Sequence, residues 1–314
     1  MAELDVATSE NNIQESITQV YIQILYAAES VKVNENTLQV SIAQRDRGQE
    51  LLNAGSIAKS DLAQLEAQVS TDRYQLVTAQ ATLEDYKLQL KQLLELDGEN
   101  EMNIYLPALS DENVLAPLPT KRDVYISALS LRPEIEASKL NVEASELGIN
   151  IAKSSYFPTI SLSAGIGTNH TSGSDFTFGE QVKNGWNNSI GLSVSVPIFN
   201  NRQTKSAVQK AKLQYETSML SLLDEQKALY KTIESLWLDA NSAQQRYAAA
   251  NEKLKSTQIS YELISEQFNL GMKNTVELLT EKNNLLQAQQ EQLQAKYMAI
   301  LNTQLLKFYQ GDQL

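Results

Sequence analysis

The chain of 314 residues has no cysteine, which excludes disulfides, thiolate metal sites and cysteine nucleophiles. Absence of cysteine suits an oxidising compartment without requiring one. A single histidine, His170, leaves too few imidazoles for a histidine-based triad beside a metal cluster. No phosphate-cradling glycine loop and no paired nucleophile and base occur either, so neither an enzyme nor a bound cofactor or metal is expected. No run of about 18 apolar residues is present, which excludes a membrane-spanning helix. The opening "MAELDVATSENNIQESI" lacks the basic start and apolar middle of a signal peptide. A net charge of −12 argues against non-specific binding to nucleic acid.

Glycine and proline are also scarce, 12 and 6 residues, so the elements between them must be long. Ala, Leu, Gln, Glu and Lys are abundant and favour helix. Leu62, Val69, Leu76, Leu83 and Leu90 recur every seven residues, as do Leu279, Leu286, Leu293 and Ile300. Such a repeat keeps one seam against a partner helix and gives a coiled coil. The segment 203–270 holds neither Pro nor Gly and as one helix would reach roughly 100 Å. Helices are expected at 8–52, 60–97, 203–270 and 275–309, with a further helix at 133–154 opened by Pro133.

Two stretches break this pattern in the same way, "LLNAGSIAKSDL" and "FNLGMKNTVELL". Their glycines lie 271 − 55 = 216 residues apart. The same offset pairs Ile17 with Ile233, Tyr21 with Trp237, Leu38 with Leu254, Asn53 with Asn269, and Asp61 with Glu277. Chemical type is kept on both sides of the glycine, so the chain reads as two copies of one helical hairpin. Between them, 96–123 carries three prolines and reads as a linker with short elements.

Two other segments, "PTISLSAGIG" (158–167) and "NSIGLSVSVPIF" (188–199), alternate aliphatic with small polar residues. A two-residue period means β-strand. One reading is an amphipathic hairpin lying on helices. The other is a pair of barrel strands facing lipid and lumen, whose length of roughly 9–11 residues both segments match. Tyr156, Phe157, Trp186 and Phe199 stand at or near the strand ends, where an aromatic girdle would sit.

The stretch "LRPEIEASKLNVEASELGINIAKSSYFPTISLSAGIG", the "GLSVSVPIFNN" leading into a long helix, and the two glycine tips together resemble the TolC-like outer-membrane factors of Gram-negative efflux and type I secretion systems. The resemblance spans nearly the whole chain. It implies a mainly α fold with long antiparallel coiled-coil hairpins in two repeats. A β-hairpin would contribute to a trimeric outer-membrane barrel, and an equatorial region would surround the tunnel. The expected division is 1–97, first helical hairpin with its tip at 53–61; 98–155, equatorial segment and helix; 156–200, barrel hairpin with extracellular loop; and 201–314, second helical hairpin with its tip at 269–277 and a C-terminal equatorial end. The family's other β-hairpin would fall before residue 1, since 203 − 216 = −13. The chain is therefore expected to lack an N-terminal region of the family, and three copies would bring 3 × 2 = 6 strands, few for an open barrel.

Family resemblance also implies roles for the tips. They would close the periplasmic entrance and dock a periplasmic adaptor (membrane fusion) protein, which in turn engages an inner-membrane pump. Adaptor contacts are expected at Ala54, Gly55, Ser56, Leu270, Gly271 and Met272. A Cβ at either glycine is expected to clash in the tight reversal. Gate residues are expected at Ser60, Asp61, Phe268, Lys273 and Glu277, with a Lys273–Asp61 ion pair holding the entrance shut. Phe268 lacks a hydroxyl that the family's aromatic would use, and Thr280 stands where the family has a second acid. Glu277 has two readings: a threefold carboxylate ring that favours cations, or one half of a capping box with Asn274. Arg132 is expected as a structural ion-pair partner, and Tyr21 and Trp237 as packing residues. The expected function is a passive export conduit working as a homotrimer in contact with outer-membrane lipid. The alternative is a soluble helical scaffold, or a non-functional remnant of such a channel.

Overall fold

The computed structural model describes residues 2–96, 104–105, 114–173 and 175–312. Among the described residues nine elements follow one another: α1 (Ala2–Asn53), α2 (Lys59–Leu93), α3 (Lys121–Leu131), α4 (Pro133–Ser154), β1 (Thr159–Gly167), α5 (Phe178–Asn184), β2 (Asn187–Ser195), α6 (Gln203–Asn269) and α7 (Thr275–Gln310). The expected mainly helical architecture with a small two-stranded sheet is what the chain adopts. Most of the expected linker, 97–103 and 106–113, lies outside the described residues. Among the described residues no helix is long and apolar enough to cross a membrane.

Two compact units divide the chain: Met1–Ile135 with Gln226–Leu314, and Glu136–Glu225. In the first, α1 and α2 pack as an antiparallel hairpin, and α7 lies against α1. Three apolar clusters hold it. One joins Ile22 and Leu25 of α1 to Tyr247 of α6 and to Leu293, Tyr297 and Ile300 of α7. A second gathers Val124, Ala128 and Ile135 with Leu229, Ile233 and Leu306. The third, at the tips, is Leu51, Leu65, Phe268 and Leu278. Gly48 marks a close approach of α1 to α2, since a Cβ there would run into Leu65 Cδ1.

Arg132, between α3 and α4, is buried and behaves as the expected ion-pair partner. Its Nη2 donates to Glu15 Oε1 at 2.7 Å, and its guanidinium lies 3.7 Å from the ring centre of Tyr309. Trp237 Nε1 donates to the carbonyl of Pro119 at 3.0 Å, and Tyr21 Oη to that of Tyr105 at 2.8 Å.

The second unit contains most of α4, the β-hairpin and the start of α6. The strands pair antiparallel, from Thr159 opposite Ser195 to Gly167 opposite Asn187. The loop between them contains α5. Thr177 caps it: its Oγ1 accepts from Glu180 N, while Glu180 Oε2 accepts from Thr177 N at 2.9 Å. That Thr-x-x-Glu spacing was the available signal.

Candidate functional site

The two helical tips reverse the chain by the same hydrogen bonds. At the first, Gly55 N donates to Leu52 O at 2.9 Å and Ser56 N to Leu51 O at 2.8 Å. At the second, Gly271 N donates to Phe268 O at 2.9 Å and Met272 N to Gln267 O at 2.8 Å. Each pair combines a 5→2 with a 6→1 bond, the Schellman closure of a helix C-terminus, and it requires a left-handed residue. Gly55 and Gly271 both have φ of +73°. No heavy atom lies within 4 Å of where a Cβ would stand at either. The expected clash is thus corrected: within the chain it is the backbone conformation, not crowding, that calls for glycine.

Each return helix is started by an acid three residues after its cap. Asp61 Oδ2 accepts from Ala58 N at 3.0 Å, and Glu277 Oε2 accepts from Asn274 N at 3.2 Å. Asn274 Oδ1 completes the second box by accepting from Glu277 N at 2.9 Å. Ala58 has no side-chain acceptor, so the first box is half made. Glu277 therefore fills the capping role that was one of its two readings. Its carboxyl is held below the ordinary value of 4.5, first by the hydrogen bond from Lys273, then by the backbone bond at Asn274.

The expected ion pair between Lys273 and Asp61 does not form among the described residues. Lys273 Nζ, just before the cap, sits 2.6 Å from Glu277 Oε1 in the first turn of α7, while Asp61 is occupied at its own cap. Local partners win because they need no second hairpin to be brought into reach. Phe268 is also placed differently from expectation. Expected at the gate, it is 2% exposed and packs between the hairpins with Leu51, Leu65 and Leu278. Its missing hydroxyl is consistent with an apolar site, where an unpaired oxygen would be costly.

What does cross between the hairpins was not read from sequence. Arg47 Nη2 donates to the carbonyl of Asn269, the last residue of α6, at 3.3 Å. Gln44 Nε2 donates to Tyr261 Oη at 2.8 Å. The signal available for Arg47 was weak, a basic residue nearly two turns before the end of α1. Beyond these ties the tips are open. Ala54, Gly55, Ser56 and Ser60 are exposed, and Leu270 and Met272 are 75% and 70% exposed.

The β-hairpin is a second unusual surface. Ile160 faces Val194, Leu162 faces Leu192 and Ala164 faces Ile190, while Ser161, Ser163 and Gly165 face Ser193, Gly191 and Ser189. One side is aliphatic and the other small and polar, and every residue of both strands is exposed. Tyr156, Phe157, Trp186 and Phe199 are exposed near the strand ends.

Comparison with known proteins agrees with this arrangement. Residues 124–311 match the family described as outer membrane efflux protein. The chain is 24% identical over 299 residues to the outer membrane efflux protein BepC of Brucella suis, covering 95% of this chain and 62% of that one. It is 24% identical over 291 residues to the outer membrane protein TolC of Escherichia coli, covering 90% of this chain and 58% of that one. The chain therefore spans about three fifths of the length of these relatives. In structure it resembles the outer-membrane channel OprN, with a TM-score of 0.80 at 20% identity over 99% of this chain and 69% of that one. The glycine-broken hairpins and the two-faced strands thus have a common explanation: the chain belongs to the outer membrane efflux protein family.

Proposed function

We propose that the chain is the channel component of a tripartite efflux or type I secretion system in the outer membrane of a Gram-negative bacterium. Its helical part stands in the periplasm and provides a passive export path, and no step of the work is enzymatic. The observation that carries this reading is the β-hairpin with two opposite exposed faces. An aliphatic face and a small polar face on one two-stranded ribbon are both satisfied when lipid covers the first and water the second. Three copies gather their ribbons and helices around one axis.

The tips then ring the periplasmic entrance. Leu270, Gly271 and Met272, with Ala54, Gly55 and Ser56, form the adaptor-docking surface, supported by their exposure and by the open space over both glycines. The adaptor joins the channel to an inner-membrane pump, which supplies the energy. Ser60, Asp61, Lys273 and Glu277 border the entrance, and three copies of Glu277 give a carboxylate ring that favours cations. Phe268 serves the gate from inside, by holding the two hairpins of one chain together. A role in binding nucleic acid does not fit a chain of charge −12.

The test is detergent dependence of the full chain. A trimer-sized species in detergent that aggregates on detergent removal is expected, and changing Ile160, Leu162, Ile190 and Leu192 together to Ser should abolish that aggregation. A monodisperse monomer that needs no detergent with the native hairpin would overturn the reading.

A further inference from the structure

The buried face of α1 changes character along its length. Near Ile22 and Leu25 it is apolar, and at Leu51 it is apolar again. Between them Leu38 is the one large apolar side chain that is buried, and it stands among the buried polar residues Asn34, Thr37, Ser41 and Gln44, which are spaced three or four residues apart as a coiled-coil seam requires. Asn34 and Thr37 satisfy themselves on their own helix, at the carbonyls of Ser30 and Val33. Ser41 does not. Its Oγ donates to Asp72 Oδ2 on α2 and accepts from Lys282 Nζ on α7, while Lys282 also donates to Asp72 Oδ2. Gln68 Nε2 completes the carboxylate by donating to Oδ1 at 2.9 Å.

Three helices from both hairpins thus meet at one ion pair, whose side chains are 3% and 2% exposed for Lys282 and Asp72. Burying such a pair is a poor way to gain stability, because the desolvation of two charges offsets their attraction and apolar replacements often do as well. Its use must lie elsewhere. The leucines of α7 recur at seven-residue intervals through Leu279, Leu286 and Leu293. A slip of one heptad, about 10 Å along the axis, would lay leucine on leucine again. That slip would carry Lys282 away from Asp72 and strand both charges without partners.

We propose that Ser41, Asp72 and Lys282 form a register pin that fixes the axial position of the second hairpin on the first. Heptad leucines make the hairpins adhere, and the pin selects one alignment among those that adhere. The inference concerns a single chain and does not rest on the transport reading.

Because the chain has no cysteine, cysteines placed at the exposed positions Asp46 and Asn284 allow spin labels to report the distance between α1 and α7 in the full chain. The native background should give one narrow distance distribution. Asp72→Asn or Lys282→Met alone should lower the thermal midpoint, because each leaves a buried group unpaired. The triple change Ser41→Ala, Asp72→Leu and Lys282→Leu should fold with a midpoint no lower than native, yet give a broadened distribution or a second population. The swapped pair Asp72→Lys with Lys282→Asp should restore a single population. An unchanged narrow distribution in the triple variant would overturn the pin, as would a triple variant that fails to fold or a swap that stays broad.

Discussion

Arg47 of the first hairpin donates across to the carbonyl of Asn269, which closes α6 of the second. A cation at a helix C-terminus meets carbonyls that have no partner within the helix, and the helix dipole adds to the attraction. The Arg47 side chain is 44% exposed and also pairs with Glu50, so its contribution is modest. Arg47→Met should lower stability by about 0.5–1 kcal/mol, read as a lower urea midpoint at unchanged slope.

Gly55 and Gly271 should respond alike to substitution. Alanine at either must take the left-handed conformation, which costs about 1–2 kcal/mol, and asparagine should cost less because it tolerates that region. Gly48→Ala is a contrasting case, since its Cβ would drive into Leu65. It should cost about 1–3 kcal/mol by overpacking, and a compensating Leu65→Ala should recover part of that. Thermal unfolding of the three single variants separates the two mechanisms.

Phe268 holds the tip from inside. Phe268→Ala should cost about 3–5 kcal/mol, whereas Phe268→Leu keeps most of the volume and should cost less. Phe268→Tyr should also destabilise, because the added hydroxyl enters an apolar site. Urea unfolding checks the order Ala, then Tyr or Leu.

Glu277 gives the tip an acid dependence. Its folded-state value is depressed, so the stability it brings is present above the ordinary value of 4.5 and is lost as pH falls through the lower folded value. Lys273→Met removes the largest cause of the depression and should move the Glu277 titration, followed by carbon-detected NMR, upward. Glu277→Gln should flatten the acid limb of a stability-versus-pH curve.

Tyr309 acts in the opposite direction. Burial, reinforced by the nearby Glu15 carboxylate, pushes its phenol up to about 12. Stability tied to its neutral form is complete below the ordinary value of 10.0 and is lost as pH rises towards about 12. Arg132 is a neighbour that pulls the value down, so Arg132→Met should move the ultraviolet titration of this tyrosine still higher. The same variant should cost about 3–5 kcal/mol by leaving the half-buried Glu15 carboxylate without its cation.

Local signals in the sequence carried much of the architecture. Scarce Gly and Pro predicted helices that do run from Gln203 to Asn269 and from Thr275 to Gln310. Alternation predicted strands that pair from Thr159 to Gly167 with Asn187 to Ser195. The matched tips appeared as a constant offset because their hydrogen bonds all lie within six residues of the glycine. Contacts between hairpins were hidden, since Asp72 and Lys282, or Gln44 and Tyr261, stand more than 200 positions apart. Periodicity shows that a residue lies on a seam, but not which distant residue faces it. The burial of Phe268 was hidden for that reason: its neighbourhood of glycine, lysine and asparagine looks like a surface, while its partners Leu51 and Leu65 lie in the other half of the chain.

Identical backbone turns carry unlike chemistry. Where Ala54 and Ser56 flank one glycine, Leu270 and Met272 flank the other. A visitor whose shape suits the first turn also suits the second, yet it finds a smooth small-residue saddle at one and two greasy prongs at the other. On the proposed docking role, a partner meets one backbone outline at both turns and still tells the first from the second.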